Sequence, residues 1–213
     1  MIKVICCDCD GVLTHVDHDY SKSGLYVDES EIMRKINNFI FGTKHLLNSW
    51  MTGEISYQEL NRLLSYKFDV DEGYLNNLLI QNMENYLWNW DLINLFQKYR
   101  KEKIKILLTT NNNDIFTLIA VPKYNLNYYF DKIYNSADIK YLKGENDHRL
   151  FMEISKEYNI EKREILIIDD TKRIIEEANE LGYRTYLYNI DTCNDFEEWF
   201  KINCIKNMEK RIL

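Results

Sequence analysis

The chain has 213 residues, 46% of them hydrophobic, and a formal net charge of −7. That apolar content supplies a packed core and excludes a disordered chain, and the length admits one large α/β domain or a core domain carrying a smaller insert. The acidic balance excludes broad attraction to nucleic acid or to anionic membranes, so a phosphate site has to be built locally from Lys, backbone N–H groups or a metal.

The chain opens on an apolar run, residues 2–7, that reads as a short β-strand. No cleavable leader precedes it, and no later segment approaches the ~20 apolar residues of a membrane span, so a cytoplasmic protein is expected. Five cysteines, Cys6, Cys7, Cys9, Cys193 and Cys204, are expected as unpaired thiols of a reducing compartment, the first three packed in or beside that strand. Asp8, Cys9, Asp10, Gly11, Val12, Leu13 and Thr14 follow directly. Alternate strand residues point the same way, so Asp8 and Asp10 lean into one volume while Gly11 permits a sharp turn. Two like charges that close call for a cation. Read as a calcium-binding loop, the segment would put Cys6 at the first ligand position and Asp17 at the last, after a β-type run where a helix is required; that reading is set aside.

Residues 15–89 contain helical patterns and no strand. Ile32, Ile36 and Phe39 mark one amphipathic helix, and Ser56 with Glu59 forms the capping box of a second, preceded by a turn at Gly53. Leu75, Leu78, Leu79, Met83 and Leu87 mark a third. The stretch is expected as a helical insertion over the C-terminal edge of a sheet. His15, Asp17, His18 and Asp19 within it are expected as a solvated hinge, not a metal cluster.

Strands and helices alternate from there on. β-type runs fall at 104–109, 132–135, 165–168 and 184–188, and helical patterns at 90–100, 150–158 and 174–181, the last stopped by Gly182. The single proline, Pro122, falls in a loop-like region. Alternation of this kind predicts a parallel sheet covered on both faces, with its chemistry at the C-terminal strand ends. Thr109, Thr110, Asn111, Asn112 and Asn113 follow the second strand, offering a hydroxyl, amides and a helix N-terminus to a phosphoryl group. Lys140 and Lys143 come after the third strand, and the fourth ends in Asp169 and Asp170, whose carboxylates again call for a hard cation.

These four segments, in this order, resemble the signature motifs of the haloacid dehalogenase superfamily, in particular its helical-cap phosphatases, and the resemblance covers nearly the whole chain. It implies a Rossmann-like parallel sheet of strand order 5-4-1-2-3 with helices on both faces, a core of residues 1–14 and 90–213, and a helical cap of residues 15–89. It implies Asp8 as nucleophile, Asp10 as acid and base, Thr110 in preference to Thr109, and Lys143 in preference to Lys140. Gly11, Thr110, Asn111 and Lys143 would hold phosphate; Asp8, Asp10, Asp169 and Asp170 would form a Mg2+ site, with Asp170 the direct ligand of the last pair. Three departures stand out: Gly144 replaces the usual proline, the stretch before Phe151 is about two residues longer, and Ile174 stands where some relatives carry a further acid. The implied activity is a magnesium-dependent phosphohydrolase acting on a small phosphorylated metabolite, with no nucleic-acid or membrane partner. A phosphomutase, a dehalogenase and a non-catalytic binder of phosphometabolites are the alternatives.

Overall fold

The computed structural model describes residues 1–14, 26, 28, 30–145, 148–190 and 195–205. His15, Asp17, His18, Asp19 and Cys193 lie outside the described residues. Five parallel strands form one sheet: β1 (Val4–Cys7), β2 (Lys105–Thr110), β3 (Lys132–Asn135), β4 (Ile165–Asp169) and β5 (Arg184–Leu187), in the order 3-2-1-4-5. This is the expected order read from the other edge. Cys7 stands level with Leu108 of β2 on one side and Ile168 of β4 on the other. The register therefore brings the residues just after β1 between the last residues of β2 and β4.

The period of two along β1 sends its side chains into two separate cores. Ile5 and Cys7 join Ile106, Leu108, Phe96 and Ile168 on one face, whereas Val4 and Cys6 join Leu107, Phe151, Ile154 and Ile167 on the other. Burial on both faces explains why these strands read as unbroken apolar runs. Each fully buried Leu, Ile or Phe contributes about 1.5–3 kcal/mol. The described cysteines Cys6, Cys7, Cys9 and Cys204 are free and buried.

Between β1 and α5 (Trp90–Lys101) lie α1 (Glu31–Gly42), α2 (Lys44–Met51), α3 (Tyr57–Phe68) and α4 (Glu72–Glu84). Local side chains set their starts: Ser30 and Asp71 cap α1 and α4, and Ser56 with Glu59 closes both halves of the capping box of α3. Met33, Ile36, Ile40, Leu60, Leu64, Leu75, Leu79 and Met83 are buried and continuous with the Ile5 core. Leu87 departs from the expected pattern. The helix ends at Glu84, and Leu87 is 72% exposed, because the chain turns away to pair Trp88 with Thr14. Pro122 also differs from expectation, sitting in the first turn of a short helix, α6 (Val121–Lys123), where its missing N–H costs nothing.

The turn between α2 and α3 rests on the loops that follow β2 and β3. Trp50 Nε1 donates to Asp114 Oδ1 at 3.0 Å, and the Tyr57 N–H donates to Asp114 Oδ2 at 3.0 Å. Ser136 Oγ donates to the Met51 carbonyl at 2.6 Å, and Lys140 Nζ to the Gly53 carbonyl at 2.9 Å. Gly53 has φ +64, and a Cβ there would lie 2.4 Å from the Ala137 carbonyl oxygen, so the close approach requires glycine. α7 (Leu126–Tyr129) precedes β3, and beyond β3 come α8 (Ser136–Ile139), α9 (Arg149–Glu157), α10 (Lys172–Glu180) and α11 (Phe196–Phe200). Among the described residues no helix is long and apolar enough to cross a membrane.

Candidate active site

Asp8 is the first residue past β1, and its N–H still pairs with the Ile168 carbonyl at 2.9 Å, so the sheet itself sets its direction. Its Oδ1 accepts from the Cys9 N–H at 2.8 Å and its Oδ2 lies 2.6 Å from Lys143 Nζ. The same ammonium lies 2.7 Å from Asp169 Oδ2. Asp8, Lys143 and Asp169 are all buried, and Asp170 is partly exposed beside them. Asp8, Asp169 and Asp170 each offer a carboxylate oxygen within 4.8 Å of the others, the donor set of a hard divalent cation.

Gly11 makes that cluster possible. Its φ is +76, and a Cβ would lie 2.1 Å from Asp170 Oδ2. A side chain here would be strained and would also displace a carboxylate of the cluster. Asp169 is fixed from its other oxygen, which accepts from the Thr171 N–H at 2.8 Å. Asn111 Oδ1 accepts from the Lys143 N–H at 2.8 Å, so the loop after β2 places the loop that carries the lysine.

Asp10, expected as a fourth metal ligand, is not one of the three converging carboxylates and has partners of its own. Its Oδ1 accepts from Thr14 Oγ1 at 3.0 Å and its Oδ2 from Asn112 Nδ2 at 3.3 Å, both neutral donors. Burial raises the Asp10 carboxyl above its ordinary range, opposed by the Thr14 hydrogen bond and by Lys143. Burial likewise pushes Asp8 upward, and Asp169 and Asp10 add to the push while Lys143 resists it. Burial alone would lower the Lys143 ammonium; the two carboxylates it bridges raise it above its ordinary value and keep it charged. The Cys9 thiol, beside the site in sequence, is fully buried and pushed well up by burial and by the Asp10 and Asp8 charges, which makes it unreactive.

The two threonines at the end of β2 separate cleanly. Thr109 Oγ1 donates to the Cys7 carbonyl at 3.4 Å, a bond within the sheet. Thr110 Oγ1 is buried and has no hydrogen-bond partner among the described residues. The two lysines separate as well: Lys143 meets Asp8 and Asp169, whereas Lys140, with φ +70, reaches back to Gly53. Asn112 and Thr14 are the residues that sequence reasoning did not place at Asp10. Asn112 is the middle one of three consecutive asparagines, and nothing in the spacing sets it apart.

The model of the haloacid dehalogenase-like hydrolases matches residues 2–182. No curated protein sequence matches this one. Among solved structures, a predicted HAD-like family hydrolase from Porphyromonas gingivalis superimposes with a TM-score of 0.73 at 21% identity, covering 95% of this chain and 98% of its own. A HAD family enzyme from Bacteroides thetaiotaomicron, solved with magnesium and inorganic phosphate, gives 0.71 at 22% identity, covering 94% and 100%. The L-2-haloacid dehalogenase from Xanthobacter autotrophicus gives 0.59 at 16% identity, covering 87% and 76%. At these identities the structural likeness speaks for the fold, and the sequence match, which spans most of the chain, speaks for descent: the chain belongs to the haloacid dehalogenase-like hydrolases.

Proposed function

We propose that the protein is a magnesium-dependent phosphohydrolase acting on a small phosphorylated metabolite through an aspartyl-phosphate. The observation that carries this reading is the charge balance at the end of the sheet. Asp8, Asp169 and Asp170 converge within 4.8 Å, and the one ammonium paired with them among the described residues is Lys143. Three carboxylates against one cation leave an excess of negative charge, which calls for a divalent cation, a component that halide displacement at carbon does not need. Bound by oxygens of these three residues, Mg2+ would screen the charge between nucleophile and phosphoryl group.

The chain's own groups supply the rest. An Asp8 carboxylate oxygen attacks phosphorus, forming an O–P bond as the bond from phosphorus to the leaving oxygen breaks. Lys143 favours the ionised form of Asp8 and faces the charge on the transferring group. Asp10, whose carboxyl burial holds above the ordinary range, gives its proton to the leaving oxygen. The same carboxylate then takes a proton from the water that attacks the aspartyl-phosphate, releasing phosphate and restoring Asp8. The unpartnered Thr110 hydroxyl is available to donate to a phosphoryl oxygen. A dehalogenase attacks carbon with the same aspartate and needs neither an acid at Asp10 nor the acidic pair of β4. Helices α1–α4, seated on the loops after β2 and β3, would act as the cap that shields the site and reads the leaving group.

The test is phosphate release from an aryl phosphate by the wild type and by Asp8→Asn, each with magnesium and with chelator. Release that requires both Asp8 and magnesium is the expected result. Release that persists in Asp8→Asn overturns the nucleophile, and halide release from a 2-haloacid without magnesium overturns the reaction class.

A further inference from the structure

The contact between the α2–α3 turn and the loops of the sheet continues inward to the acid side of the site. Ser136 Oγ donates to the Met51 carbonyl at 2.6 Å and accepts from the Asn112 N–H at 3.0 Å. Asn112 in turn donates from Nδ2 to Asp10 Oδ2 at 3.3 Å, while its Oδ1 accepts from the Asn113 N–H at 2.9 Å, which fixes which way the amide faces. Consecutive hydrogen bonds thus run from the backbone of the proposed cap, through Ser136 and Asn112, to the carboxyl of the proposed acid. Ser136 and Asn112 are both buried, so bulk water does not replace a partner that either one loses. The serine hydroxyl has one proton and two acceptors within reach. The Asn112 carbonyl lies 3.1 Å from it, farther than the Met51 carbonyl, and is the acceptor left to it when the turn lifts. A hydroxyl that changes acceptor between a seated and a lifted turn is a two-state element, and the residue it then pulls on is the one that holds Asp10.

We infer that Ser136 is a positioning residue that couples the seating of the α2–α3 turn to the placement of Asp10: with the turn seated, Ser136 and Asn112 hold the carboxyl where it meets the leaving oxygen. The inference rests on the phosphohydrolase reading. Ser136 contributes in proportion to the leaving group's need for a proton and contributes nothing to phosphate binding. General acid catalysis is worth about 10²–10⁴-fold, and a misplaced acid forfeits a part of it.

The experiment compares kcat/KM of wild type, Ser136→Ala, Gly53→Ala, the double variant and Asp10→Asn over a series of aryl phosphates whose phenols range from acidic to weakly acidic. Ser136→Ala removes the hydroxyl and leaves the Asn112 N–H a second acceptor, Asn135 Oδ1 at 3.2 Å. It is expected to leave the most acidic phenol within about twofold of wild type and to slow the least acidic about tenfold, a dependence lying between wild type and Asp10→Asn. Gly53→Ala works from the other side of the contact: its Cβ would lie 2.4 Å from the Ala137 carbonyl oxygen, so the turn is pushed off while Ser136 and Asn112 stay intact. It is expected to steepen the dependence in the same way, and it decides the matter if Ser136→Ala does not fold. The double variant is expected to be no steeper than the steeper single one, because both break the same connection. An equal loss across the series in Ser136→Ala, or none, overturns the inference while leaving the function intact. A wild-type dependence in Gly53→Ala, or steepening that adds in the double variant, overturns the coupling to the turn. Absence of Asp8-dependent turnover in the wild type overturns the phosphohydrolase reading and this inference with it.

Discussion

The two sides of the turn after β1 hold their carboxylates by opposite means. Towards β4, Asp8 and Asp169 are kept together by one buried ammonium, with contacts of 2.6 and 2.7 Å. Towards β2, Asp10 is kept by a hydroxyl and an amide at 3.0 and 3.3 Å. Charge-assisted contacts favour the ionised acid strongly, whereas neutral donors favour it only slightly and tolerate protonation. The β4 side thus pairs its acids with a cation, and the Asp10 side leaves its acid to neutral donors, the arrangement suited to the acid-and-base role proposed for it. Two residues of separation in sequence suffice for this because Asp8 is still tied to the sheet through its N–H while the chain turns at Gly11, directly after Asp10.

The comparison breaks most severely at Lys143. Lys143→Met leaves Asp8 and Asp169 buried without their cation, at an expected cost of about 3–5 kcal/mol together with loss of turnover. The sign of its pH dependence follows from Asp8. With the ammonium gone, burial and the neighbouring acids still raise the Asp8 pKa, and nothing opposes them. A group with a raised folded-state pKa favours folding below its unfolded value of about 4 and loses that contribution as pH rises. Urea denaturation of the variant should therefore give a stability that falls from about pH 4 upward more steeply than that of the wild type. A parallel shift at all pH values would show that Lys143 supplies packing and not charge.

Gly11→Ala strikes the turn itself. A left-handed φ costs a non-glycine residue about 1–2 kcal/mol, and the added Cβ collides with the Asp170 carboxylate. Expected are a loss of about 2 kcal/mol in stability and a higher magnesium concentration for half-maximal activity. An unchanged magnesium dependence would separate Asp170 from the metal.

Thr110 and Thr109 give a smaller but sharper contrast. Thr110→Val removes an unpartnered hydroxyl, so stability should hold or rise slightly, while turnover falls about 10²-fold if the hydroxyl serves the transition state. Thr109→Val loses the bond to Cys7 and should cost about 1 kcal/mol of stability with turnover retained. Reversed outcomes would exchange the roles of the two residues.

The strands, their type and the family order of the motifs are legible in the sequence because each depends on local patterns: apolar runs of strand length, acids at their ends, a capping box at Ser56. The observed strand limits agree with the expected ones to within two residues. The resemblance prefers Lys143 to Lys140, and Lys143 is the one whose ammonium meets Asp8 and Asp169. What local patterns could not carry is pairing at a distance. Asp114 lies 64 residues from Trp50, and Asn112 lies 102 from Asp10. A buried amide in a run of three has no sequence mark, and Leu87 follows the helical spacing of α4 although Trp88 is already paired with Thr14.

Two of the departures from the family pattern show the same limit, because they lie beside each other. A Cβ on Gly144, in place of which relatives carry proline, would lie 2.8 Å from Cδ1 of Ile174, the residue that replaces the further acid of some relatives. Ile174 is 4% exposed, so its terminal methyl has little room to yield. The loop that carries Lys143 and the helix that follows Asp170 therefore run close together where Gly144 faces Ile174. Gly144→Ala alone should cost about 1 kcal/mol through overpacking, and Ile174→Val alone about 1 kcal/mol through the lost methyl. Together they should cost less than the sum by at least about 0.5 kcal/mol, since valine lacks the atom that alanine would strike. Thermal denaturation of the four proteins in the cycle measures that coupling, and simple additivity would show that the two departures arose independently of one another.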